Sequence, residues 1–273
     1  MHEMWCILLK LRSKNIRSHK LVAMDTITVG DCTNLSLGNK SVHLFVVSPP
    51  YNVGINYGNG FNDNKEWRDY VEFLIKMMEE MHRTLVDGGR VAINVAGINR
   101  KPYKDVPGIV SSILEELGFL LRGTVIWIKG ESSARTDCAW GSYMSNTNPV
   151  LRDSWESIVM ASKETYELDC RTLGLPDITK DEFQQWSVSA WNMRPETRCS
   201  WHGAPFPEEL PYRCIKWLVP REAIVVDPCC GTGTTPYVAK MLYRHYLAYD
   251  QNPEYVRRAN ERLGNTIFEA TTW

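Results

Sequence analysis

Short apolar segments and amphipathic segments alternate along most of this chain. Apolar runs typical of buried strands occupy residues 25–31, 41–51, 90–96, 120–130, 153–163, 222–228 and 245–250. Apolar residues recur at helical spacing over residues 66–85, 106–119, 234–244 and 253–263,. Strands that alternate with helices are typical of a mostly parallel sheet. The pattern therefore predicts an α/β fold.

Prolines and glycines interrupt this pattern at two places that matter for the later argument. The strand at 41–51 stops at Pro49 and Pro50, which cannot donate to a neighbouring strand,. The following residues, 52–64, are rich in Gly and Asn and are predicted to form a loop,. We also expect Asp87-Gly88-Gly89 to end the helix at 66–85, with a new strand after it,.

Residues 131–200 differ from the rest of the chain because they are polar and lack long periodic runs. Six of the ten tryptophans lie from Trp127 to Trp201. We interpret this stretch as a variable insert or a small recognition subdomain. Four of its tryptophans could have a binding role, or they could instead pack in the core of that subdomain. They are Trp140, Trp155, Trp186 and Trp191. Its basic residues are Arg135, Arg152, Lys163, Arg171, Lys180, Arg194 and Arg198.

Composition and charge exclude several classes of protein. The chain has 273 residues, of which 44% are hydrophobic and 23% charged, as expected for a globular protein with a substantial core,. A net charge of -1 excludes an evenly basic surface, but a local basic groove could still bind nucleic acid,. No apolar run approaches the roughly 20 residues of a membrane span, so we expect no membrane association.

Cysteine spacing and the N-terminal residues bear on metal binding and localisation. None of the eight cysteines forms a C-x-x-C pair, which argues against a zinc ribbon, and we expect no metal site,. Residues 1–24 carry an apolar stretch followed by basic residues, the reverse of a secretory signal,. We interpret them as a basic N-terminal arm, with a mitochondrial presequence as the alternative. The expected location is the cytoplasm, with reduced thiols.

The first chemically informative segment covers residues 225–239. A predicted strand ends at Asp227, a turn containing Gly231 and Gly233 follows, and a helix then begins. Such a turn lets the backbone approach a ligand closely, and the helix N-terminus offers free N–H groups. The segment lacks the Gly-Lys-Ser/Thr of a Walker P-loop. Because Asp250 ends the next strand, where a carboxylate can accept the hydroxyls of a ribose, the unit predicts a nucleoside cofactor.

The second segment is Ser48-Pro49-Pro50-Tyr51, at the carboxyl end of a predicted strand. Open α/β sheets bind ligands at such ends. The two prolines stiffen the backbone and leave carbonyl acceptors, Ser48 adds a hydroxyl, and Tyr51 adds a flat aromatic ring. Together they could hold a planar group that presents an amine, although a strand followed by a proline turn would look the same.

These segments together resemble the amino-methylating DNA methyltransferases that use S-adenosylmethionine (SAM). Ser-Pro-Pro-Tyr at 48–51 resembles their catalytic motif, and DPCCGTGTT at 227–235 resembles their cofactor loop. HGAPFPEEL at 202–210 is similar to the segment that precedes this loop, and VGDC at 29–32 to the Gly-Asp near the adenine of the cofactor. Residues 247–263 resemble the family's next strand and helix. The order of the motifs is that of the family's β group.

The resemblance implies a Rossmann-like SAM-dependent methyltransferase fold, with a seven-stranded, mostly parallel sheet and a small target-recognition insert. It implies a catalytic half at 25–163, an insert at 164–200 with 131 as an alternative start, and a SAM-binding half at 201–273. The implied catalytic residues are Ser48, Pro49, Pro50 and Tyr51. The implied cofactor-binding residues are Asp31, Phe206, Asp227, Cys229, Gly231, Gly233, Thr234 and Asp250. The chain departs from the family at three positions. It has Cys229 where the family usually has Phe, Thr232 where the family usually has Ser, and Ala248 where the family usually has Gly.

The implied reaction is direct transfer of a methyl group to an exocyclic amine of a base flipped out of duplex DNA. Ser at the first motif position is associated with cytosine N4 and Asp with adenine N6, so we expect cytosine. An adenine-N6 enzyme, a non-catalytic DNA-binding relative, and an RNA or small-molecule methyltransferase stay open as alternatives. We expect Cys229 to lie too far from the base for cytosine-C5 chemistry.

The resemblance implies double-stranded DNA as a partner and therefore association with the nucleoid. For the modification half of a restriction-modification pair, it also implies a cognate restriction endonuclease. A solitary enzyme is the alternative. The chain is expected to be a monomer or a homodimer.

Overall fold

A computed structural model describes residues 23–58, 60–61, 63–98, 102–130, 144–149, 151, 153–196 and 205–265. The predicted N-terminal arm lies outside the described residues except for its last two positions. Arg135, Trp140, Arg152 and Arg198 also lie outside them. No helix in the described part of the chain is long and apolar enough to cross a membrane.

A single mixed sheet forms the centre of the described structure. Its strands are β1 (Thr26–Val29), β2 (Val42–Val47), β3 (Leu85–Val95), β4 (Phe119–Ile128), β5 (Trp155–Lys163), β6 (Ala190–Asn192), β7 (Ile224–Asp227) and β8 (His245–Asp250). They lie in the order β1-β8-β7-β2-β3-β5-β4-β6. Only β5 runs antiparallel to its neighbours, β3 and β4, among the described pairings. This confirms the predicted α/β fold with a mostly parallel sheet.

The number of strands differs from the seven that we expected, because the described residues form eight. The additional strand is β6, which pairs with β4 through Ile126 and Ala190 at the edge of the sheet. It has three residues, too few for an alternating pattern to emerge from the sequence,. The short helix beside it was missed for the same reason.

Six helices are described, and they cover both faces of the sheet. They are α1 (Trp67–Thr84), α2 (Val106–Glu116), α3 (Lys180–Trp186), α4 (Glu209–Leu218), α5 (Thr234–Met241) and α6 (Pro253–Asn265). Along β2, Phe45 packs in the cluster that contains α1 and α2, whereas Leu44 packs in the cluster that contains α4 and α5. Successive strand residues point to opposite faces, so the sheet separates two hydrophobic cores.

The glycines after α1 have a different role from the one predicted. The helix ends at Thr84, and β3 begins at Leu85 and continues through Gly88. Gly88 has a φ of 75°, and a Cβ there would lie 1.9 Å from the backbone oxygen of Glu167. Glycine is therefore required by the close approach of the segment that follows β5, and not by the end of the helix.

The described part of the predicted insert packs directly against the sheet. Trp186 and Trp191 are buried in the core cluster that also contains α4, and the Trp186 ring meets Tyr212 of that helix edge-on at 5.7 Å. Trp155 is 39% exposed. Lys163 is buried at the end of β5, and its ammonium group donates to the Leu85 carbonyl at 2.9 Å.

Candidate functional site

A cavity of about 890 Å³ lies at the carboxyl ends of the parallel strands. Volumes of roughly 300–1,000 Å³ are typical of small-molecule sites. Residues that follow β1, β2, β7 and β8 line it, together with Asn94 in β3 and Glu156 in β5. Because β5 runs antiparallel, the start of that strand reaches the edge where its neighbours end. The cavity therefore joins the two segments that the sequence singled out.

All four residues of the Ser-Pro-Pro-Tyr motif line this cavity. The Ser48 and Tyr51 hydroxyls are 2.9 Å apart and share a hydrogen bond. The Tyr70 hydroxyl of α1 donates to the Pro50 carbonyl at 3.0 Å. This contact fixes the turn from the side of the helix and occupies one of the carbonyl acceptors that the prolines provide.

A polar network behind Tyr51 was not predicted from the sequence. The Tyr51 hydroxyl donates to Glu156 Oε2 at 3.0 Å. The Asn94 amide donates to the Tyr51 oxygen at 2.9 Å and to Glu156 Oε2 at 2.6 Å. Lys129 forms an ion pair with Glu156 Oε1. Burial, followed by the negative charge of Glu156, raises the pKa of Tyr51 well above its ordinary value, so this phenol stays protonated,.

The members of this network come from four separate places in the chain. Asn94 lies near the end of β3 and Lys129 directly after β4, and a search of strand ends would have found both,. Glu156 lies at the start of β5, in a segment interpreted only as a buried strand. Nothing in its local sequence distinguishes it, because its position depends on the antiparallel direction of β5.

The predicted cofactor turn forms as a connection from β7 to α5. Asp227 is buried, and its Oδ1 accepts the N–H of Cys229 at 3.1 Å. Burial raises the pKa of Asp227 to about 7. Gly233 has a φ of 73°, and a Cβ there would lie 2.8 Å from the Cβ of Ala259, so this position requires glycine,.

The eight predicted cofactor residues divide into two groups. Those that line the cavity are Asp31, Phe206, Cys229 and Asp250. Those that build the turn behind its wall are Asp227, Gly231, Gly233 and Thr234. Asp250 connects the groups, since its Oδ2 accepts the N–H of Gly231 at 2.9 Å while the carboxylate also lines the cavity.

The carboxylates and aromatic rings in the cavity suit a nucleoside with a positively charged substituent. Asp250 is bound by the backbone N–H groups of Gly231 and Asn252, at 2.9 and 2.8 Å, which hold the carboxylate in place. Each carboxylate oxygen retains a further lone pair that can accept a hydroxyl. Asp31 also lines the cavity, and its Oδ1 accepts the Thr33 N–H at 2.9 Å. Phe206 supplies an apolar ring.

Cys229 lines the same cavity as Ser48. A hydrogen bond with the Cys32 thiol, together with burial, raises the pKa of Cys229 well above its ordinary value. Because the thiolate is the nucleophile, a thiol held in this way is poorly suited to covalent attack on a base.

In the described part of the loop that follows the motif, several backbone N–H groups converge on one carboxylate. The buried Asp63 carboxylate accepts four backbone N–H groups at 2.9–3.2 Å, from Asn52, Val53, Gly54 and Ile55. Asn252 donates to the Tyr57 carbonyl at 2.7 Å and ties the loop to the segment after β8. Asp63 was not singled out from the sequence, because its role depends on the folded backbone around it.

Among the residues that the structure describes, no group of three or more His, Cys, Asp or Glu side chains could hold a metal ion.

Comparisons with known proteins agree with this architecture. The profile of the N6/N4 Mtase family, described as DNA methylase, matches residues 42–261. The Type II methyltransferase M.MjaVI of Methanocaldococcus jannaschii is 33% identical over 174 residues, which cover 63% of this chain and 87% of that protein.

Two solved structures share the fold. TTHA0409 from Thermus thermophilus, complexed with S-adenosyl-L-methionine, is 25% identical with a TM-score of 0.69, covering 88% of this chain and 93% of that one. PvuII DNA methyltransferase (cytosine-N4-specific) is 21% identical with a TM-score of 0.66, covering 88% of this chain and 87% of that one.

Proposed function

Because this chain belongs to the N6/N4 DNA methylase family, we propose that it methylates the N4 amine of cytosine in duplex DNA. At the coarser level, the chain is a SAM-dependent DNA methyltransferase that modifies an exocyclic amine. The choice of cytosine rests on Ser48 at the head of the Ser-Pro-Pro-Tyr motif, the form of the motif that is associated with N4 methylation. The Ser48 hydroxyl lies in the cavity that also contains the carboxylate of Asp250.

SAM supplies a methyl group activated by a sulfonium. We propose that the eight cofactor-binding residues named in the sequence analysis hold SAM, and that they do so in two different ways. Asp31, Phe206, Cys229 and Asp250 would contact SAM because they line the cavity, and Asp227, Gly231, Gly233 and Thr234 would maintain the turn. The carboxylates complement the positive charge of the sulfonium and the hydroxyls of the ribose.

The chain's contribution to the reaction is positioning and electrostatics. An exocyclic amine is a poor nucleophile because its lone pair is conjugated with the ring. Ser48 and the Pro49 carbonyl would accept its two N–H groups and turn the lone pair towards the methyl carbon. The N–C bond would form as the C–S bond breaks, with the electron pair left on sulfur, and the methylated nitrogen would release one of its two protons to water. Preorganised hydrogen bonds of this kind contribute substantially to catalysis.

The target base would enter the cavity after leaving the duplex, since an amine paired inside DNA cannot reach Ser48. The Tyr51 ring is the proposed stacking partner in the cavity, with its hydroxyl held by Ser48 and Glu156. Stacking of a base on an aromatic ring contributes about 1–3 kcal/mol. Binding of the flipped base therefore depends on the same tyrosine that anchors the polar network.

We assign recognition of the DNA sequence to the insert at 164–200. Arg194 and Lys180 are basic residues of its described part that could contact bases or phosphates,. Arg171 is exposed and paired with Asp169. The proposed setting is the modification half of a restriction-modification pair in the cytoplasm, with a cognate endonuclease as partner and the chain as monomer or homodimer.

Mass spectrometry of nucleosides tests the choice of base. DNA from a host without DNA methyltransferases is incubated with the purified chain and methyl-labelled SAM, and then digested to nucleosides. We expect the label in N4-methylcytosine. Label in N6-methyladenine would show that the target base is adenine and would leave the assignment as an amino-methyltransferase unchanged. Label in 5-methylcytosine would contradict direct transfer to an exocyclic amine. A chain that binds DNA and transfers no label would be the non-catalytic relative.

A further inference from the structure

In the polar network behind Tyr51, the donor of each hydrogen bond can be assigned by counting the available hydrogens and lone pairs. A carboxylate only accepts hydrogen bonds, and the N–H groups of an asparagine amide only donate. The Tyr51 hydroxyl has one hydrogen and two lone pairs. It lies 3.0 Å from Glu156 Oε2 and 3.1 Å from the Asn94 carbonyl, which are both acceptors, and 2.9 Å from the Asn94 side-chain nitrogen, a donor.

The single hydrogen of Tyr51 is therefore directed to an acceptor behind it, and the negatively charged Glu156 is the stronger of the two. The Asn94 amide occupies one lone pair of the Tyr51 oxygen. The other lone pair faces Ser48 Oγ at 2.9 Å, so the shared hydrogen bond between the two hydroxyls is donated by Ser48. The lone pairs of Ser48 are then left to accept from a group in the cavity.

We propose that Glu156 is a positioning residue that makes Ser48 a hydrogen-bond acceptor for the substrate amine. Glu156 acts through the Tyr51 hydroxyl and does not touch the base. This assignment rests on the proposed function, because it concerns the residue that holds the amine. It adds a requirement that the motif alone does not contain, namely a buried acceptor supplied by β5.

Lys129 determines how Glu156 is held. Its ammonium group pairs with Oε1, while Oε2 receives Tyr51 and Asn94. The side chain of Glu156 is 11% exposed, so this pairing also balances a charge that is largely removed from water,. The same ammonium lies 5.1 Å from the centre of the Trp127 ring, a cation–π contact that restricts its position,.

This arrangement makes Glu156→Gln an informative substitution. A glutamine has one oxygen, and the Lys129 ammonium requires it at the Oε1 position. The amide nitrogen then takes the Oε2 position and points its N–H groups at Tyr51. The Tyr51 hydrogen loses its charged acceptor and keeps only the neutral backbone carbonyl of Asn94 at 3.1 Å, so it can also turn to Ser48,. In that state the Ser48 hydrogen points into the cavity at the N–H groups of the substrate.

Single-turnover methyl transfer measures the effect. The substrate is a short duplex carrying the site found by mapping modified bases in the chromosome of a host that expresses the chain. We expect Glu156→Gln to lower the rate constant by about 10- to 1,000-fold, the range for loss of one preorganised hydrogen bond. SAM affinity should be unchanged in calorimetry. Glu115→Gln, an exposed glutamate on α2, is the matched control and should retain the wild-type rate.

A double-mutant cycle separates positioning from a general structural effect. If Glu156 acts through Ser48, Glu156→Gln should cost less than about 3-fold in a Ser48→Ala background, where no hydroxyl remains to be oriented. Equal fold-losses in both backgrounds would overturn the proposal, and so would a wild-type rate in Glu156→Gln.

A second cycle applies if Glu156→Gln does not fold. Tyr51→Phe removes the hydroxyl that links Ser48 to Glu156 and keeps the ring. We expect it to slow transfer in the wild-type background and to have little further effect in Ser48→Ala. Independent losses would contradict the proposal.

The product separates this proposal from the choice of base. If the rate losses in the double-mutant cycle are coupled but the product is N6-methyladenine, Glu156 keeps its proposed role and cytosine is the wrong base. If the rate losses are independent but the product is N4-methylcytosine, cytosine is the right base and the proposed role of Glu156 is wrong. A wild-type chain that transfers no methyl group would overturn both.

Discussion

Arg244 and Asp177 form a bidentate ion pair in which both guanidinium–carboxylate distances are 2.7 Å. The Arg244 side chain is fully buried and also donates to the carbonyls of Leu242 and Val219. Asp177 belongs to the segment between β5 and α3, whereas Arg244 directly precedes β8. The pair thus attaches the proposed recognition insert to the proposed cofactor half of the sheet.

Asp177→Ala should destabilise the fold because it leaves the buried Arg244 without its counter-charge. Breaking a buried pair in this way costs about 3–5 kcal/mol. The measurement is the free energy of unfolding in denaturant. The matched control is Asp169→Ala, which removes the partner of Arg171 in an exposed pair and should change the stability little,. Equal losses of unfolding free energy in Asp177→Ala and Asp169→Ala would contradict a larger contribution from the buried ion pair.

Asp63→Asn should loosen the loop at 52–65. Asp63 Oδ2 accepts three backbone N–H groups and Oδ1 accepts one. An asparagine would keep a neutral, weaker oxygen at the Oδ2 position, and its amide nitrogen would face the N–H of Asn52. We expect a loss of about 1–3 kcal/mol in the free energy of unfolding and faster hydrogen exchange at residues 53–55. Asp69→Asn, an exposed aspartate on α1, serves as control. Unchanged exchange at these amides would show that Asp63 does not hold the loop.

Asp250→Ala should weaken SAM binding by about tenfold or more, since loss of one charge-assisted hydrogen bond costs about 1.5–3 kcal/mol. The substitution removes a carboxylate that lines the cavity and that also accepts the N–H groups of Gly231 and Asn252. Isothermal calorimetry with SAM in the absence of DNA measures the change. Glu254→Gln at the start of α6 should bind as the wild type does. Wild-type affinity in Asp250→Ala would remove Asp250 from the cofactor site.

The stability contributed by Asp227 should depend on pH. Burial raises its pKa from 3.8 to about 7, so between these values the folded state holds a proton that the unfolded state has released. The Asp227 contribution to the free energy of unfolding therefore falls as the pH rises through this window, and is constant above it.

Asp227→Asn lacks this titration. The difference in unfolding free energy between wild type and variant should decrease by a few kcal/mol from pH 4 to pH 7 on the scale of about 1.4 kcal/mol per pKa unit. Denaturant titrations at several pH values give this difference. A difference that does not change with pH would show that the carboxyl group has an ordinary pKa.

Ser48→Ala should slow methyl transfer by about 10- to 1,000-fold, because the amine loses one of its two acceptors. SAM affinity should change little, because Ser48 is not among the residues proposed to hold the cofactor. Single-turnover kinetics give the rate, and Ser111→Ala on α2 is the control for a lost hydroxyl. A wild-type rate in Ser48→Ala would make the motif a structural turn only.

The sequence alone was sufficient for the fold class, the two chemical segments and the family resemblance. Each depends on residues that are close in sequence: the apolar period of strands and helices, the proline step after β2, and the glycines between β7 and α5. Local backbone preferences and side-chain periodicity determine such features. The placement of both segments at one edge of the sheet also followed, because parallel strands place their carboxyl ends there, but the single cavity that joins them is a finding of the structure,.

Only the tertiary structure determined the partners of the catalytic motif. Glu156 reaches Tyr51 across 105 positions of sequence because β5 runs antiparallel between β3 and β4, and no local pattern encodes that direction. The same holds for Asp63, whose four N–H donors converge only in the folded loop, and for the pair of Asp177 with Arg244. These contacts join residues that are far apart in sequence, and they form only when the two hydrophobic cores pack the strands and helices together. A sequence pattern predicts only the local structure of one helix or one strand at a time.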